Sequence, residues 1–120
     1  MKKYSYTLIV DDIKASEEYY KKHFGWIAEK KGEHFVLMDT ESPLTFSVIE
    51  KEYLFQILNI DEADIPERSF CTWIYDSETQ LLSEKEELLC KGMIQIGIIG
   101  HFLKGKDGMI WELRKKGAMI

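Results

Sequence analysis

Tyr4-Ser5-Tyr6-Thr7-Leu8-Ile9-Val10-Asp11-Asp12 and Ser69-Phe70-Cys71-Thr72-Trp73-Ile74-Tyr75-Asp76 are two runs, 65 residues apart at their first residues, that read almost alike. The first is a strand over 4–10 that leads into a helix over 12–24, stopped by Gly25. Strand-like runs follow over 34–39 and 44–50. The second half repeats the order, with a strand over 69–75, a helix over 76–91 and Gly92 as its stop. It closes with a strand over 101–104, a Lys106-Asp107-Gly108 turn and a strand over 109–113. A long internal period is a signal of architecture. It predicts an α+β fold in which two repeated βαβββ modules form a curved mixed sheet, with helices on the convex face and a ligand cup on the concave face.

The expected organisation is one domain over 1–120. Module one spans 1–50, a connector 51–68 and module two 69–120. Acidic residues and Pro66 make the second part of the connector a linker, whereas 53–58 is too apolar for free solvent and is expected to cover a groove or a partner subunit.

Alternation sorts strand residues onto two faces. Tyr6, Leu8, Val10, Phe35, Leu37, Phe46, Val48, Phe70, Ile74, Phe102, Met109, Trp111 and Leu113 are expected beneath the helices, against Tyr19, Tyr20, Phe24, Leu81, Leu88 and Leu89. The opposite parity carries Ser5, Thr7, Ile9, His34, Val36, Thr45, Ser47, Ile49, Ser69, Cys71, Trp73, Tyr75, His101, Ile110 and Glu112. Its mixture of small polar, aromatic and titratable groups suits a ligand-binding surface. Trp73 and Tyr75 are the favoured ligand contacts there, because each offers a flat apolar area with a hydrogen-bonding edge.

Composition narrows the function. A chain of 120 residues with 45% hydrophobic content can bury a core. No apolar run nears the roughly 20 residues that span a membrane, and Met1-Lys2-Lys3 leads into a strand, so a cytoplasmic location is expected. Cys71 and Cys90 fit no zinc ribbon, CxxC site or disulfide framework and are expected as buried thiols. A net charge of −5 argues against nucleic acid and leans toward a cationic small ligand.

Leu8-Ile9-Val10-Asp11-Asp12, Ser16, Tyr19-Tyr20 and Phe24-Gly25, with Lys106-Asp107-Gly108-Met109-Ile110-Trp111-Glu112-Leu113 near the end, resemble the vicinal oxygen chelate superfamily. This is the superfamily of glyoxalase I, bleomycin resistance proteins and extradiol dioxygenases. The resemblance implies four repeat-related positions where the family's enzymes hold a divalent metal. Counting back seven residues from Asp12 and Asp76 places two of them at Ser5 and Ser69. Aligning 43–46 with 108–111 sets Ser47 opposite Glu112. Three serines and one carboxylate are a poor donor set for Zn, Ni, Fe or Mn, so neither a metal nor another cofactor is expected.

A symmetric hairpin closed by 105–108 would put His101 opposite Glu112, within reach of a His–Glu pair. These two are the candidate catalytic residues. His34 by the same pairing faces Ile49, and Glu50 ends its strand with the parity opposite to Ser47. The expected function is a metal-free small-molecule binding protein, a homodimer, with a cationic aromatic compound as one candidate ligand. The expected ligand contacts are Ser5, Ser47, Ser69, Trp73, Tyr75, His101 and Glu112. The alternative is a glyoxalase-type lyase or isomerase using His101 and Glu112, with or without a divalent metal.

Overall fold

Short polar residues start the two longer helices of this chain, and an αL glycine ends the first. In the computed structural model, which describes residues 3–39, 45–66 and 68–118, β1 (Lys3–Val10) leads to α1 (Ile13–Phe24). The Asp12 side chain accepts from the Lys14 and Ala15 N–H groups, and Gly25 closes the helix at φ 70°. The chain continues through β2 (Ile27–Lys31), β3 (Phe35–Asp39), β4 (Thr45–Glu50) and α2 (Lys51–Leu58). After a 3-10 turn at Glu62–Asp64 come β5 (Ser69–Tyr75), α3 (Glu78–Cys90), β6 (Ile94–Ile96), β7 (His101–Lys104) and β8 (Ile110–Lys115). Pro43, Leu44, Glu67 and the Met1-Lys2 start, which entered the sequence reading, lie outside the described residues. Among the described residues no helix is long and apolar enough to cross a membrane.

The eight strands form one mixed sheet in the order β2-β3-β4-β1-β5-β8-β7-β6. β1 and β5 pair antiparallel at its centre, within a single chain. β1 runs parallel to β4, and β5 runs parallel to β8. Both parallel pairs join residues 40 apart, Thr7 to Ser47 and Thr72 to Glu112.

α1 packs over β2, β3 and β4, and α3 over β5 and β8, both on one face. Ile13, Val36, Met38 and Val48 fill the space under α1, joined by Tyr20, Trp26 and Phe46. Tyr75, Leu81, Leu103 and Leu113 do the same under α3, with Trp73, Leu88 and Leu89. Tyr19 and Phe24, expected in this layer, are exposed. The other face is closed by α2. Leu54, Ile57 and Leu58 pack there on Phe35, Ile49, Phe70, Phe102 and Ile110. Each such side chain contributes about 1.5–3 kcal/mol on burial. The apolar stretch over 53–58 thus covers this chain's own sheet.

The sheet bends toward the α2 face. β3 and β8 are four strand spacings apart, about 19 Å in a flat sheet. Yet the Arg114 guanidinium on β8 lies 4.7 Å from the centre of the Phe35 ring on β3. Lys30 on β2 likewise reaches the Gly117 carbonyl, 2.6 Å away.

Three strands run with the parity opposite to expectation. On β1, β4 and β8 the expected residues face α2: Ser5, Thr7 and Ile9, then Thr45, Ser47 and Ile49, then Ile110 and Glu112. Pairing brings Phe35 and Leu37 of β3, Phe70 and Thr72 of β5, and Phe102 of β7 to the same side. Val36, Cys71, Trp73, Tyr75 and His101 therefore lie on the α1/α3 face. The two offset strands of the second half have local causes. Ser77, not Asp76, caps α3, accepting from the Gln80 N–H, which moves the correspondence between halves by one residue. The Gly105 N–H bonds to the Met109 carbonyl and Gly108 takes φ 83°, so the turn absorbs Met109 and Lys104 pairs with Ile110. A slip of one residue changes the face of a whole strand.

Candidate functional site

Beyond the α2 end, the same face changes character. Ser5, Thr7, Ser47, Thr72, Glu112 and Arg114 are all buried, with Glu112 at 0% exposure and Arg114 at 2%. Burying such groups is costly unless they bond to one another. Thr7 and Thr72 share a hydrogen bond of 3.0 Å between their hydroxyl oxygens. Thr72 donates to Glu112 Oε1 at 2.9 Å, and Arg114 Nη2 donates to the same oxygen at 2.5 Å. Arg114 Nη1 donates to the Ser47 hydroxyl at 3.1 Å. Ser5 turns instead to the Thr45 carbonyl. The chain of bonds leaves Glu112 Oε2 and Arg114 Nε buried without a protein partner among the described residues.

The Thr7–Thr72 bond also corrects the correspondence of the two halves. Thr7 pairs beside Ser47, and Thr72 beside Glu112, so Thr7 and Thr72 are counterparts. The helix caps Asp12 and Ser77 have the same separation. The counterpart of Ser5 is then Phe70, and Ser69 is exposed on the opposite face.

The residues at these positions do not fit a divalent metal. Ser5 and Ser47 offer neutral hydroxyls, Phe70 offers no donor, and the one carboxylate, Glu112, is already paired with a guanidinium. Among the described residues, no three His, Cys, Asp or Glu side chains form a group that could hold a metal ion.

His101 and Glu112 do not meet. The β7–β8 register sets His101 beside Leu113 and Phe102 beside Glu112, which puts the imidazole and the carboxylate on opposite faces. His101 Nδ1 lies 3.0 Å from Lys85 Nζ of α3. An ammonium only donates, so Nδ1 is the acceptor. Burial and the Lys85 charge push the imidazole below its ordinary value, against an upward pull from Glu78. Tyr75 is buried under α3, where burial and then Glu84 raise its phenol. Trp73 packs beside Trp111, with ring centres 5.4 Å apart. Cys90 is exposed, contrary to expectation, and burial raises the half-buried Cys71 thiol, which makes it a weak nucleophile.

His34 does not face Ile49, whose partner is Phe35. Its Nδ1 lies 2.7 Å from Glu50 Oε1, and its ring stacks on Tyr53. Glu50 is thereby drawn to His34 at the strand end, away from the buried polar residues.

Two cavities adjoin the residues singled out above. One, of about 430 Å³, lies on the α3 side between Trp73, Leu88, Met93, Trp111 and the 105–107 turn. The other, of about 420 Å³, opens on the α2 side at the end of the strands remote from α2. Leu37, Thr45, Ile74 and Arg114 line its floor, and Glu29, Lys30 and the 115–118 turn its mouth. Of the two, only the second reaches the buried polar network. Arg114 is the residue sequence reasoning missed. Its parity with Ile110 and Glu112 marked it for this face, but it lies beyond the expected strand end.

No protein-family model matches the chain. No curated protein matches it either. Solved structures do. A structure described as the NAD-dependent benzaldehyde dehydrogenase from Legionella pneumophila superposes with a TM-score of 0.68 at 13% identity, covering 93% of this chain and 97% of that one. Methylmalonyl-CoA epimerase from Mycobacterium tuberculosis gives 0.67 at 14%, covering 95% and 87%. A glyoxalase/bleomycin resistance protein/dioxygenase superfamily member from Vibrio splendidus 12B01 gives 0.59 at 12%, covering 95% and 99%. Names so unlike one another on one architecture select no activity. Together with the mixed α+β sheet described above, these likenesses show that the chain has the vicinal oxygen chelate fold.

Proposed function

We propose that the protein binds a small molecule in the cavity beside Arg114, without a metal ion. The observation that carries this reading is the cavity itself, about 420 Å³ of space lined in part by the buried Arg114. Its volume is in the range of small-molecule sites, and its lining combines apolar walls with a few polar groups. In this reading the cavity is the part of the ligand cup that α2 leaves open, between two modules of a single domain. A fold neighbour, a methylmalonyl-CoA epimerase, is described in complex with methylmalonyl-CoA, which supports small-molecule binding on this architecture. Binding is favoured over glyoxalase-type catalysis because His101 and Glu112 cannot act on one ligand from opposite faces. The metal-free part rests on the donor chemistry of Ser5, Phe70, Ser47 and Glu112.

The test is an NMR fragment screen on protein dialysed against EDTA, with amide shifts followed residue by residue. Hits are expected to converge on Leu37, Thr45, Ile74 and the 115–118 turn, with affinities unchanged by EDTA. Hits that converge elsewhere, or that vanish with EDTA, would sink the reading.

A further inference from the structure

The cavity beside Arg114 has a charge opposite to that of the chain around it. The whole chain carries −5. Lys30, Arg114, Lys115 and Lys116 line this cavity, against a single carboxylate, Glu29. Setting Glu112 against Arg114 still leaves the cavity two positive charges in excess. One sign of charge in a cleft with low-dielectric walls focuses the field on whatever enters it.

From this we infer that the ligand is an organic anion, a carboxylate-bearing molecule with a compact apolar body. The inference rests on the reading of this cavity as the binding site. Leu37, Ile74 and Ala118 supply apolar wall for the body. Arg114 is fixed at the floor by Ser47, Glu112 and the Phe35 ring, so its guanidinium is held in place before any ligand arrives. Its Nε–H is buried and has no acceptor among the described residues. A ligand carboxylate at the floor lies beside this buried cation, and a guanidinium suits a carboxylate in charge. At the mouth, Lys30 is tied to the Gly117 carbonyl across the cavity, which holds one cation at the entrance. A cationic aromatic ligand would meet the wrong sign of charge here. The aromatics expected to receive it, Trp73 and Tyr75, lie on the other face.

The experiment titrates matched aryl carboxylates and their primary amides, led by 1-naphthaleneacetate and 1-naphthaleneacetamide, by calorimetry and NMR. Acids are expected to bind about tenfold or more tightly than amides, as one nearby charge allows. That preference should shrink in high salt, and shrink again in the exposed-residue double variant Lys30→Glu, Lys116→Glu. Equal binding of acids and amides at the cavity would overturn the anion inference and leave the binding site standing. An acid preference that the lysine substitutions do not change would also overturn it. Failure of every pair to shift the amides of Thr45, Ile74 and Gly117 would overturn both.

Discussion

Glu112 and His101 sit on neighbouring strands, each beside a cation, and the two arrangements have opposite consequences. Arg114 donates to Glu112, a buried carboxylate with its counter-ion in direct contact. Lys85 donates to His101, which can accept only while its Nδ1 carries no proton. One cation neutralises its partner, and the other adds to burial in keeping its partner neutral. A titratable side chain is defined by its burial and by the charge that packs against it, and both depend on which face its strand presents.

Breaking the Glu112–Arg114 pair should give the largest effect. Glu112→Ala leaves a buried guanidinium unpaired and is expected to cost about 3–5 kcal/mol in urea unfolding. The double variant Glu112→Leu, Arg114→Met should recover most of that loss, because it removes both charges from the interior. A double variant as unstable as the single one would mean that the pair is not the source of the loss.

Thr72→Val should cost about 1–3 kcal/mol, since it strips one hydrogen bond from Glu112 and one from Thr7. Ser69→Val, at an exposed position, should stay within about 0.5 kcal/mol. Reversal of that order would place Ser69, not Thr72, on the polar face and break the β1–β5 register.

The smallest effect concerns pH. The folded state holds His101 below its ordinary 6.5, so the unfolded chain takes up a proton that the fold resists. The stability due to neutral His101 is complete above about 6.5 and is lost as pH falls below it. Urea midpoints measured at descending pH should therefore fall more steeply for the wild type than for His101→Gln. Parallel curves would show that the imidazole carries no such linkage.

These contrasts mark what could be read from the chain. β1, β4 and β8 were legible because their two faces differ. Ser5, Thr7 and Ser47 alternate with Tyr6, Leu8, Phe46 and Val48, so either parity keeps the small polar residues together on one face. β3 offers no such contrast, since Phe35 and Val36 are both buried, one toward α2 and one toward α1. In β5, Phe70 competes with Trp73 and Tyr75 for a core place, and both faces find one. The strands and helices given ranges in the sequence kept their order through these slips because they rest on caps and turns, whereas the helix α2 lies where a connector was expected. The candidate site did not survive them, because a site depends on which of two alternating sets faces inward.

Ser5, Ser47 and Glu112, alike on the polar face, were therefore within reach of the sequence, as was the overall α+β architecture. Local signals carried them: alternation, a capping aspartate, a stopping glycine and the spacing between halves. Tertiary structure alone decided that α2 would fill one end of this face, that Arg114 would reach Ser47 and the Phe35 ring, and that His101 would turn toward Lys85. Each is a contact between segments distant in sequence or a choice of face, set by sheet curvature and by turns that shift register by one residue, and no local pattern encodes it.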